Sequence, residues 1–488
     1  MRLVVLLIAA VAFLLGVAPA AAQEVSRPNV LFVLTEDQGA QLSFLGTAGL
    51  ETPNMDRVAR NGIYFNRAYV AYPVCSPSKA SIYTGTYCHT NGMIGNTNNF
   101  FVPADQLTPA QRNAPVYSRM SVGENLHTLT EILRDAGYHT AVSGKLHVAP
   151  NEKFPYDEWF RPNNYARTKE MVENAQKAHK PFFFFANIQA PHRPFRDSDE
   201  VEIGVDPAAV ELPALLPDTP VTRKDWAEYL DYCEVADEQL GEVLRAIIEA
   251  NEIQNTLIVF MGDHGPAYHR GKMSLYQFGL NVPFAIAGPG VPGGRTTDEM
   301  ISGVDVMATL LELLDLPVPS QNQGQSMATL VRGEPGATGR EHVFAEIMHD
   351  GQRIDDGMQE RSVFDGRYKL IYRNQNVGER DVNSDLKFFV LELPDGRRLQ
   401  WHNRVYDEIV KEKDEFPDAY RRLTEIDPQT YGVTLPTFEL YDTEADPDEF
   451  DNLAGKPEVA EIESRLRGVL SAWVRDTDDR YVDASDIE

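Results

Sequence analysis

The chain is poor in cysteine, with only Cys75, Cys88 and Cys233 among its 488 residues. An odd number leaves at least one thiol outside any internal disulfide, and no pair stands at the tight His/Cys spacing of a zinc site. The sequence therefore favours neither a disulfide-stapled scaffold nor a zinc module, while pairing of Cys88 with Cys233 stays open. The chain also has no Asn-x-Ser/Thr acceptor, which favours a bacterial exported protein over a glycosylated one.

Positive charge is scarce as well, with 45 lysines and arginines against 73 acidic residues and a net charge of −28. A protein of this charge is a poor general partner for nucleic acid or for an anionic membrane. Residues 1–22 have the form of a cleaved secretory signal, in which Arg2 precedes an apolar run and three alanines precede Gln23. No later run is apolar for long enough to span a bilayer. We therefore expect a secreted or periplasmic protein.

Apolar runs that are hydrophobic on both faces predict buried strands of a parallel sheet. Four such runs cover residues 29–35, 140–143, 181–189 and 255–261. Helical periodicity lies between them, at residues 53–61, 124–136 and 223–250. Strands that alternate with helices predict an α/β fold in which a large, mostly parallel sheet is sandwiched by helices.

The pattern changes after about Gly333. Residues 361–373 predict a hairpin around an Asp-Gly turn, residues 438–441 predict a strand, and residues 459–474 predict an amphipathic helix. These elements indicate a smaller C-terminal α+β domain with an antiparallel sheet. The predicted divisions are a signal at residues 1–22, a large domain at 23–345 and a C-terminal domain at 346–488.

Polar side chains follow the apolar runs, at the strand ends where open α/β sheets bind their ligands. Glu36 and Asp37 follow the first run, and Asp263 and His264 follow the last. Either pair alone is a common way to begin a loop. Together they offer three carboxylates, and Ca²⁺ or Mg²⁺ requires several oxygen ligands. We therefore predict a divalent metal site at this edge of the sheet.

The segment Cys75-Ser-Pro-Ser-Lys-Ala-Ser-Ile-Tyr-Thr-Gly85 resembles the sulfatase signature Cys-x-Pro-Ser-Arg-x-Ser-x-x-Thr-Gly. A lone cysteine is otherwise most often a small buried residue. The resemblance implies that a formylglycine-generating maturation enzyme oxidises Cys75 to formylglycine, the catalytic nucleophile. It also implies a bound divalent ion, usually calcium, with magnesium as another candidate. Two positions depart from the family, because Lys79 stands for its arginine and Glu36 for its first aspartate.

Three further segments, which contain Lys145 with His147, His192 and Lys272, match family segments in the same order along the chain. The resemblance implies that Lys145 contacts sulfate, that His147 holds the nucleophile, that His192 protonates the leaving group and that Lys272 binds a sulfate oxygen. A lone lysine or histidine in a loop is usually a solvated residue, but these follow strand ends or match the family's order. The predicted catalytic residues are Cys75, Lys79, Lys145, His147, His192 and Lys272. The predicted metal ligands are Glu36, Asp37, Cys75, Asp263 and His264.

Within the family, segments such as Gly144-Lys-Leu-His-Val-Ala-Pro150 look closer to the heparan N-sulfatase (sulfamidase) branch. The resemblance thus implies an exported hydrolase of sulfate esters or N-sulfamates that acts on a sulfated sugar or glycosaminoglycan fragment. Two alternatives stay open. One is a phosphoester or phosphonate hydrolase of the same superfamily, and the other is an unactivated, non-catalytic binder of sulfated glycans, suggested by Lys79 and Glu36. The sequence predicts no particular oligomeric state.

Overall fold

The chain folds around one large sheet and a smaller C-terminal sheet. The computed structural model describes residues 27–195, 204–348, 359–374, 388–392, 398–402, 405, 409, 411–426 and 435–488. The predicted signal, residues 1–22, lies outside the described residues. The strands are β1 Asn29–Thr35, β2 Gly62–Tyr69, β3 His139–Ser143, β4 Glu158–Phe160, β5 Phe182–Ile188, β6 Thr256–Gly262, β7 Phe284–Ala287, β8 Arg295–Ser302, β9 Val343–Met348, β10 Gln359–Phe364, β11 Tyr368–Asn374, β12 Phe388–Glu392, β13 Arg398–His402 and β14 Phe438–Asp442.

Helices flank both sheets. They are α1 Pro53–Arg60, α2 Cys75–Thr84, α3 Cys88–Asn91, α4 Pro109–Arg112, α5 Pro115–Arg119, α6 Leu129–Asp135, α7 Tyr165–Lys177, α8 Pro220–Glu249, α9 Gln277–Leu280, α10 Asp305–Leu313, α11 Ala328–Val331, α12 Pro417–Ile426 and α13 Ala460–Asp476. Among the described residues, none of these helices combines the length and apolarity that crossing a membrane requires.

The large sheet has eight strands in the order β4-β3-β5-β1-β6-β7-β2-β8. Among these strands β7 alone runs antiparallel to its neighbours, and the other pairings are parallel. Strand β1 lies at the centre, in register with β5 on one side and β6 on the other. The mostly parallel sheet predicted from the apolar runs is confirmed.

Each face of the large sheet has its own hydrophobic core, because successive strand side chains point to opposite faces. Val30, Phe32 and Leu34 of β1 pack in a core with α2, α6 and α10. Leu31 and Val33 pack on the other face with α1, α7 and α8. All seven residues of β1 are buried. This two-sided burial is why the run is continuously apolar rather than alternating.

The C-terminal sheet has the order β14-β11-β10-β9 and is antiparallel throughout. The predicted hairpin is present as β10 and β11, which flank the Asp365-Gly366 turn. Strand β9 spans the predicted boundary at residues 345 and 346, and the division at that point stays a prediction. A separate hairpin of β12 and β13 lies in a stretch that shows no clear pattern in sequence.

Buried ionic groups lie within the C-terminal sheet and join it to helix α3 and to the chain after α13. His89 of α3 bonds through Nδ1 to Glu346 Oε2 of β9 at 2.6 Å. Arg361 of β10 bonds to Asp479 at 2.6 and 3.2 Å. Burial lowers the pKa of His89, but Glu346 and Asp479 outweigh this and raise it above its ordinary value of 6.5. On β11, Arg373 pairs with Glu439 Oε1 at 2.8 Å.

One predicted helix was wrong at its start. The periodicity indicated a helix from residue 124, but α6 begins at Leu129. Thr128 caps it, because its hydroxyl accepts from the Glu131 backbone N–H while the Glu131 carboxylate accepts from the Thr128 N–H. This reciprocal capping satisfies two N–H groups that the first turn would leave unbonded, so the helix begins there.

Candidate active site

The predicted site residues follow the carboxyl ends of neighbouring strands. Strand β1 leads into Glu36 and Asp37, β6 into Asp263, β3 into Lys145 and β5 into His192. The strand order β3-β5-β1-β6 puts these four ends side by side. At Gly144 the chain turns with φ 74°, and a Cβ there would lie 2.0 Å from the Asn187 carbonyl oxygen. Only glycine fits this turn, which brings the Lys145 segment against β5.

Cys75 is the first residue of helix α2 and is 1% exposed. Val74 before it is extended, and the helix ends at Gly85 with φ 64°. The N-terminus of a helix carries partial positive charge from unbonded N–H groups, which favours an anionic group at this position. Ser78 fastens the helix to the end of β6, because its hydroxyl donates to the Asp263 carbonyl oxygen at 2.5 Å.

Both oxygens of the Glu36 carboxylate accept hydrogen bonds. Lys79 Nζ donates to Oε1, to which Asn187 Nδ2 also donates at 2.9 Å, and Lys145 Nζ donates to Oε2 at 2.6 Å. Burial raises the pKa of Glu36, but Lys145 and Lys79 outweigh it and hold the pKa well below its ordinary range. Glu36 is therefore an anion that gathers two ammonium groups beside Cys75.

Beside Glu36, four groups form a cluster that contains two carboxylates. One ligand atom from each of Asp37, Cys75, Asp263 and His264 lies within 4.8 Å of the others. His264 Nδ1 bonds to the Gly265 carbonyl oxygen at 2.8 Å, which leaves Nε2 facing Asp37 Oδ1 at 3.4 Å and Asp263 Oδ1 at 3.7 Å. Burial lowers the pKa of His264, but Asp263 and Asp37 raise it to about 9. The cluster attracts positive charge.

A divalent ion fits this cluster. Asp263 Oδ2 is buried and has no hydrogen-bond partner among the described residues. Burial raises the pKa of Asp263 well above its ordinary value, and Glu36 and Cys75 add to the rise, although His264 opposes it. A buried, unpaired carboxylate oxygen is costly unless a cation compensates it. Carboxylate oxygens and an imidazole nitrogen form a donor set suited to such an ion.

The Cys75 sulfur lies among cations. Its Sγ is 3.4 Å from His264 Nε2 and 3.6 Å from Lys272 Nζ. Burial raises the pKa of the thiol, but Lys145, Lys272 and His264 outweigh burial and hold the pKa well below its ordinary value. The site therefore stabilises a negative charge on the group at position 75, whether that group is a thiolate or an oxyanion.

His147 adopts a left-handed backbone with φ 51°. Its Nε2–H donates to the Thr97 carbonyl oxygen at 2.8 Å, so its Nδ1 carries the lone pair and faces Cys75. Burial and the charge of Lys145 lower the pKa of His147 to about 4. The imidazole is therefore neutral at physiological pH and can accept a proton from the group at position 75.

His192 and Lys272 close the opposite side. Their Nε2 and Nζ atoms are 3.5 Å apart, and Lys272 Nζ also lies 3.1 Å from Asp37 Oδ1. Both side chains thus border the Cys75 sulfur and the carboxylate cluster. The ten residues predicted for catalysis or metal binding form one connected set of contacts, and their individual roles stay predictions.

Two residues with evident parts in this geometry were missed from the sequence. Asn187 holds Glu36, and Arg193 forms a bidentate pair with Asp225 beside His192. A signal for Asn187 was present, because it interrupts the otherwise apolar run of β5. Nothing in the sequence linked Arg193 to Asp225, since the two are 32 residues apart and belong to different elements.

The site and the fold agree with the comparisons. Residues 28–316 match the sulfatase family model, and residues 262–389 match the model described as N-sulphoglucosamine sulphohydrolase, C-terminal. The chain therefore belongs to the sulfatase family, hydrolases of sulfate esters and sulfamates. It is 25% identical over 512 residues to human N-sulphoglucosamine sulphohydrolase, covering 94% of this chain and 93% of the human protein.

Solved structures share the fold. One, in complex with its substrate D-glucosamine-2-N,6-O-disulfate, aligns over 93% of this chain and 99% of its own, with a TM-score of 0.63 and 18% identity. Another, a phosphonate monoester hydrolase from Silicibacter pomeroyi, aligns over 93% and 96% with a TM-score of 0.64 and 18% identity. At these identities the likeness shows the fold alone.

The three cysteines are buried and form no disulfide. Cys88 Sγ lies 3.2 Å from Ser81 Oγ behind helix α2, whereas Cys233 packs on α8 in a different hydrophobic cluster. The pairing that the sequence left open is therefore absent.

Proposed function

We propose that this chain is an exported sulfatase that cleaves sulfate esters or N-sulfamates of a sulfated carbohydrate. Its nucleophile would be formylglycine made from Cys75, and its cofactor would be a divalent ion, with calcium as the first candidate. The observation that carries the proposal is the setting of Cys75. Its sulfur stands at a helix N-terminus, 3.4 Å from His264 and 3.6 Å from Lys272, in a cluster that lowers its pKa.

The groups around Cys75 have distinct parts in this proposal. When Cys75 is converted to formylglycine, its hydrated aldehyde supplies a hydroxyl for attack on sulfur. Glu36, Asp37, Asp263 and His264, with the group at position 75, would hold a Ca²⁺ or Mg²⁺ ion, which would supply positive charge for the sulfate oxygens. Such preorganised charge acts where the transition state becomes more negative.

The lysines and histidines complete the chemistry. Lys145 and Lys272 flank Cys75 and neutralise the sulfate, and Lys79 holds Glu36 in place. Neutral His147 accepts a proton from the hydroxyl of the nucleophile through Nδ1. His192 gives a proton from Nε2 to the oxygen or nitrogen that leaves as its bond to sulfur breaks.

The proposed substrate is an N- or O-sulfated glucosamine unit of a glycosaminoglycan. It is supported by the likeness to human N-sulphoglucosamine sulphohydrolase over nearly the whole chain. Sulfate release should be measured from N-sulfoglucosamine, a 6-O-sulfated glucosamine and an aryl sulfate. Turnover of the N-sulfated sugar is expected. Turnover of the other two alone would overturn the sulfamate assignment while leaving an O-sulfatase.

Activation of Cys75 is tested by mass spectrometry of the tryptic peptide of residues 68–79, which trypsin releases after Arg67 and Lys79. A formylglycine mass in protein from the native host is expected, and it would also require a maturation enzyme as a partner. An intact thiol there would favour the non-catalytic glycan binder. A mature chain that begins at Gln23 would support the proposed signal.

The alternative reaction is hydrolysis of phosphoesters or phosphonates, supported by the fold shared with the phosphonate monoester hydrolase. Relative kcat/KM on matched aryl sulfate, aryl phosphate and aryl phosphonate esters separates the two. The sulfatase proposal expects the sulfate ester to be fastest. A phosphonate that is turned over faster would favour the alternative.

A further inference from the structure

We propose that Arg193 is a positioning residue that holds His192 over the nucleophile, so that its loss slows the enzyme selectively on substrates with poor leaving groups. This inference rests on the proposed function, in which His192 is the proton donor to the departing atom. It concerns how the chain keeps that donor in place.

The Arg193 guanidinium joins three segments of the catalytic edge. Its Nη1 and Nη2 donate to the two carboxylate oxygens of Asp225 on α8, at 2.9 and 2.5 Å. Its Nε donates to the Ala267 carbonyl oxygen at 3.3 Å. Asp225 belongs to a helix, and Ala267 lies on the loop after β6 that carries Lys272. Arg193 therefore fixes the loop after β5 relative to both.

Aromatic rings hold the same group from its faces. The guanidinium carbon lies 4.3 Å from the ring centre of Phe195 and 4.8 Å from that of Tyr268. The Tyr268 hydroxyl in turn donates to the Asp225 carbonyl oxygen at 3.1 Å. A planar guanidinium suits bidentate pairing and ring contacts at once, whereas an ammonium makes neither in the same way. Lysine is therefore a poor substitute here.

The main chain of Arg193 orients the histidine directly. His192 Nδ1 bonds to the Arg193 carbonyl oxygen, and the His192 N–H donates to the Gln189 carbonyl oxygen at 2.9 Å. Since Nδ1 is engaged, Nε2 is the nitrogen that faces Lys272, at 3.5 Å. The side chain of Arg193 anchors the backbone whose carbonyl oxygen sets the His192 ring.

This geometry has a consequence for rates. The proton of His192 Nε2 must reach the leaving oxygen or nitrogen as the bond to sulfur breaks, and such transfers depend steeply on position. A sugar alcohol or amine needs that proton, because it is a poor leaving group. A nitrophenolate leaves readily without it. Displacement of His192 should therefore penalise the sugar and spare the aryl ester.

The test is Arg193→Lys, assayed on the sulfated glucosamine that the wild type turns over and on 4-nitrophenyl sulfate. We expect kcat on the sugar to fall about 10- to 100-fold and kcat on the aryl ester to fall less than about threefold. Arg223→Lys is the matched control, because Arg223 makes a bidentate pair with Asp218 and contacts the Val210 carbonyl oxygen, but its pair is exposed. The control should leave both rates unchanged.

A cycle with His192→Asn separates positioning from a general loss of structure. If Arg193 acts through His192, Arg193→Lys has little further effect in the His192→Asn background. An equal fall on both substrates, or a full effect of Arg193→Lys without His192, overturns the inference. Asp225→Asn, with Arg193 intact, should give the same leaving-group pattern. If the wild type releases no sulfate from any of these substrates, the proposed function fails and the inference fails with it.

Discussion

The ammonium group of Lys79 donates a hydrogen bond to Glu36 Oε1, and both side chains are fully buried. These are the two positions at which the chain departs from the sulfatase pattern of arginine and aspartate. Glutamate reaches one methylene further than aspartate, and lysine ends in a compact ammonium rather than a wide guanidinium. The longer acid thus meets the more compact base, and we expect the two substitutions to compensate each other in space.

The pair should behave as a unit in a double-mutant cycle. Glu36→Asp withdraws the carboxylate from Lys79, and Lys79→Arg overfills the pocket, so each single variant should lose stability. The double variant should recover part of that loss, with a coupling of about 0.5–3 kcal/mol in urea unfolding. Lys145→Arg, which alters the partner of the other Glu36 oxygen, should give no such rescue with Glu36→Asp. Strict additivity of the Glu36 and Lys79 changes would contradict compensation.

Asp263 should govern the response to calcium. Its carboxylate is buried with one unpaired oxygen and a raised pKa, so without an ion its charge is unfavourable. Asp263→Asn should be at least as stable as the wild type in EDTA but should lose the calcium-induced rise in Tm. For the wild type that rise corresponds to about 2.7 kcal/mol when calcium is at 100 times its Kd.

Asp237→Asn is the control for the calcium experiment. Asp237 is also buried with a raised pKa, caused mainly by its burial, but its oxygens accept from the backbone N–H groups of Asn54 and Met55. It lies outside the carboxylate cluster. Its substitution should therefore leave the calcium response intact. A calcium response that survives in Asp263→Asn would argue against the proposed ligand set.

His89 should make stability depend on pH. Its pKa is raised in the folded state, where Glu346 and Asp479 overcome the effect of burial. The unfolded value is near 6.5, so the stabilisation is complete below about pH 6.5 and is lost as pH rises through the higher folded pKa. His89→Gln should therefore cost more stability at about pH 6 than at about pH 9, measured by urea unfolding.

His342 provides the opposite sign within the same chain. Burial lowers its pKa, so the unfolded state binds the proton more readily and folding is weakened as pH falls. The free energy of unfolding of His342→Gln, relative to that of the wild type, should therefore be higher at about pH 6 than at about pH 9. If both variants followed the same trend, the assignment of these directions to Glu346, Asp479 and burial would be wrong.

Arg373 should be essential to the C-terminal sheet. It is fully buried on β11 and pairs with Glu439 of β14. Arg373→Met leaves a buried carboxylate without its guanidinium, which should cost about 3–5 kcal/mol of unfolding free energy. Arg367→Met is the comparison, because its pair with Asp442 joins neighbouring strand ends in solvent. Its effect should be far smaller, since water and salt screen an exposed pair.

Much of the fold was predictable because the central strands are buried on both faces. The runs that became β1, β3, β5 and β6 were placed to within one residue. Burial on two sides leaves a continuous apolar stretch that is hard to mistake. Strand β7, Phe284–Ala287, was not predicted.

The carboxylates of the site followed from the strand ends and its other members from the resemblance to the sulfatase family, but the internal pairing followed from neither. Glu36 meets Lys79, Lys145 and Asn187 across separations of up to 151 residues. Which base takes which oxygen depends on how helix α2 and the loop after β3 pack against β1. That packing leaves no periodic trace in sequence, and for the same reason the Arg193–Asp225 pair stayed hidden.

The burial of Cys75 has a consequence for timing. Only 1% of its surface remains accessible once helix α2 is packed, so we expect the proposed maturation enzyme to act on this segment before it folds. Strand β1 also pairs with β6, whose last residue is Gly262, so the pocket closes only after that distant stretch has joined. The proposed conversion should therefore precede the folding of this region. Refolded, unconverted protein should resist the maturation enzyme, while an unfolded peptide carrying residues 74–85 should accept it.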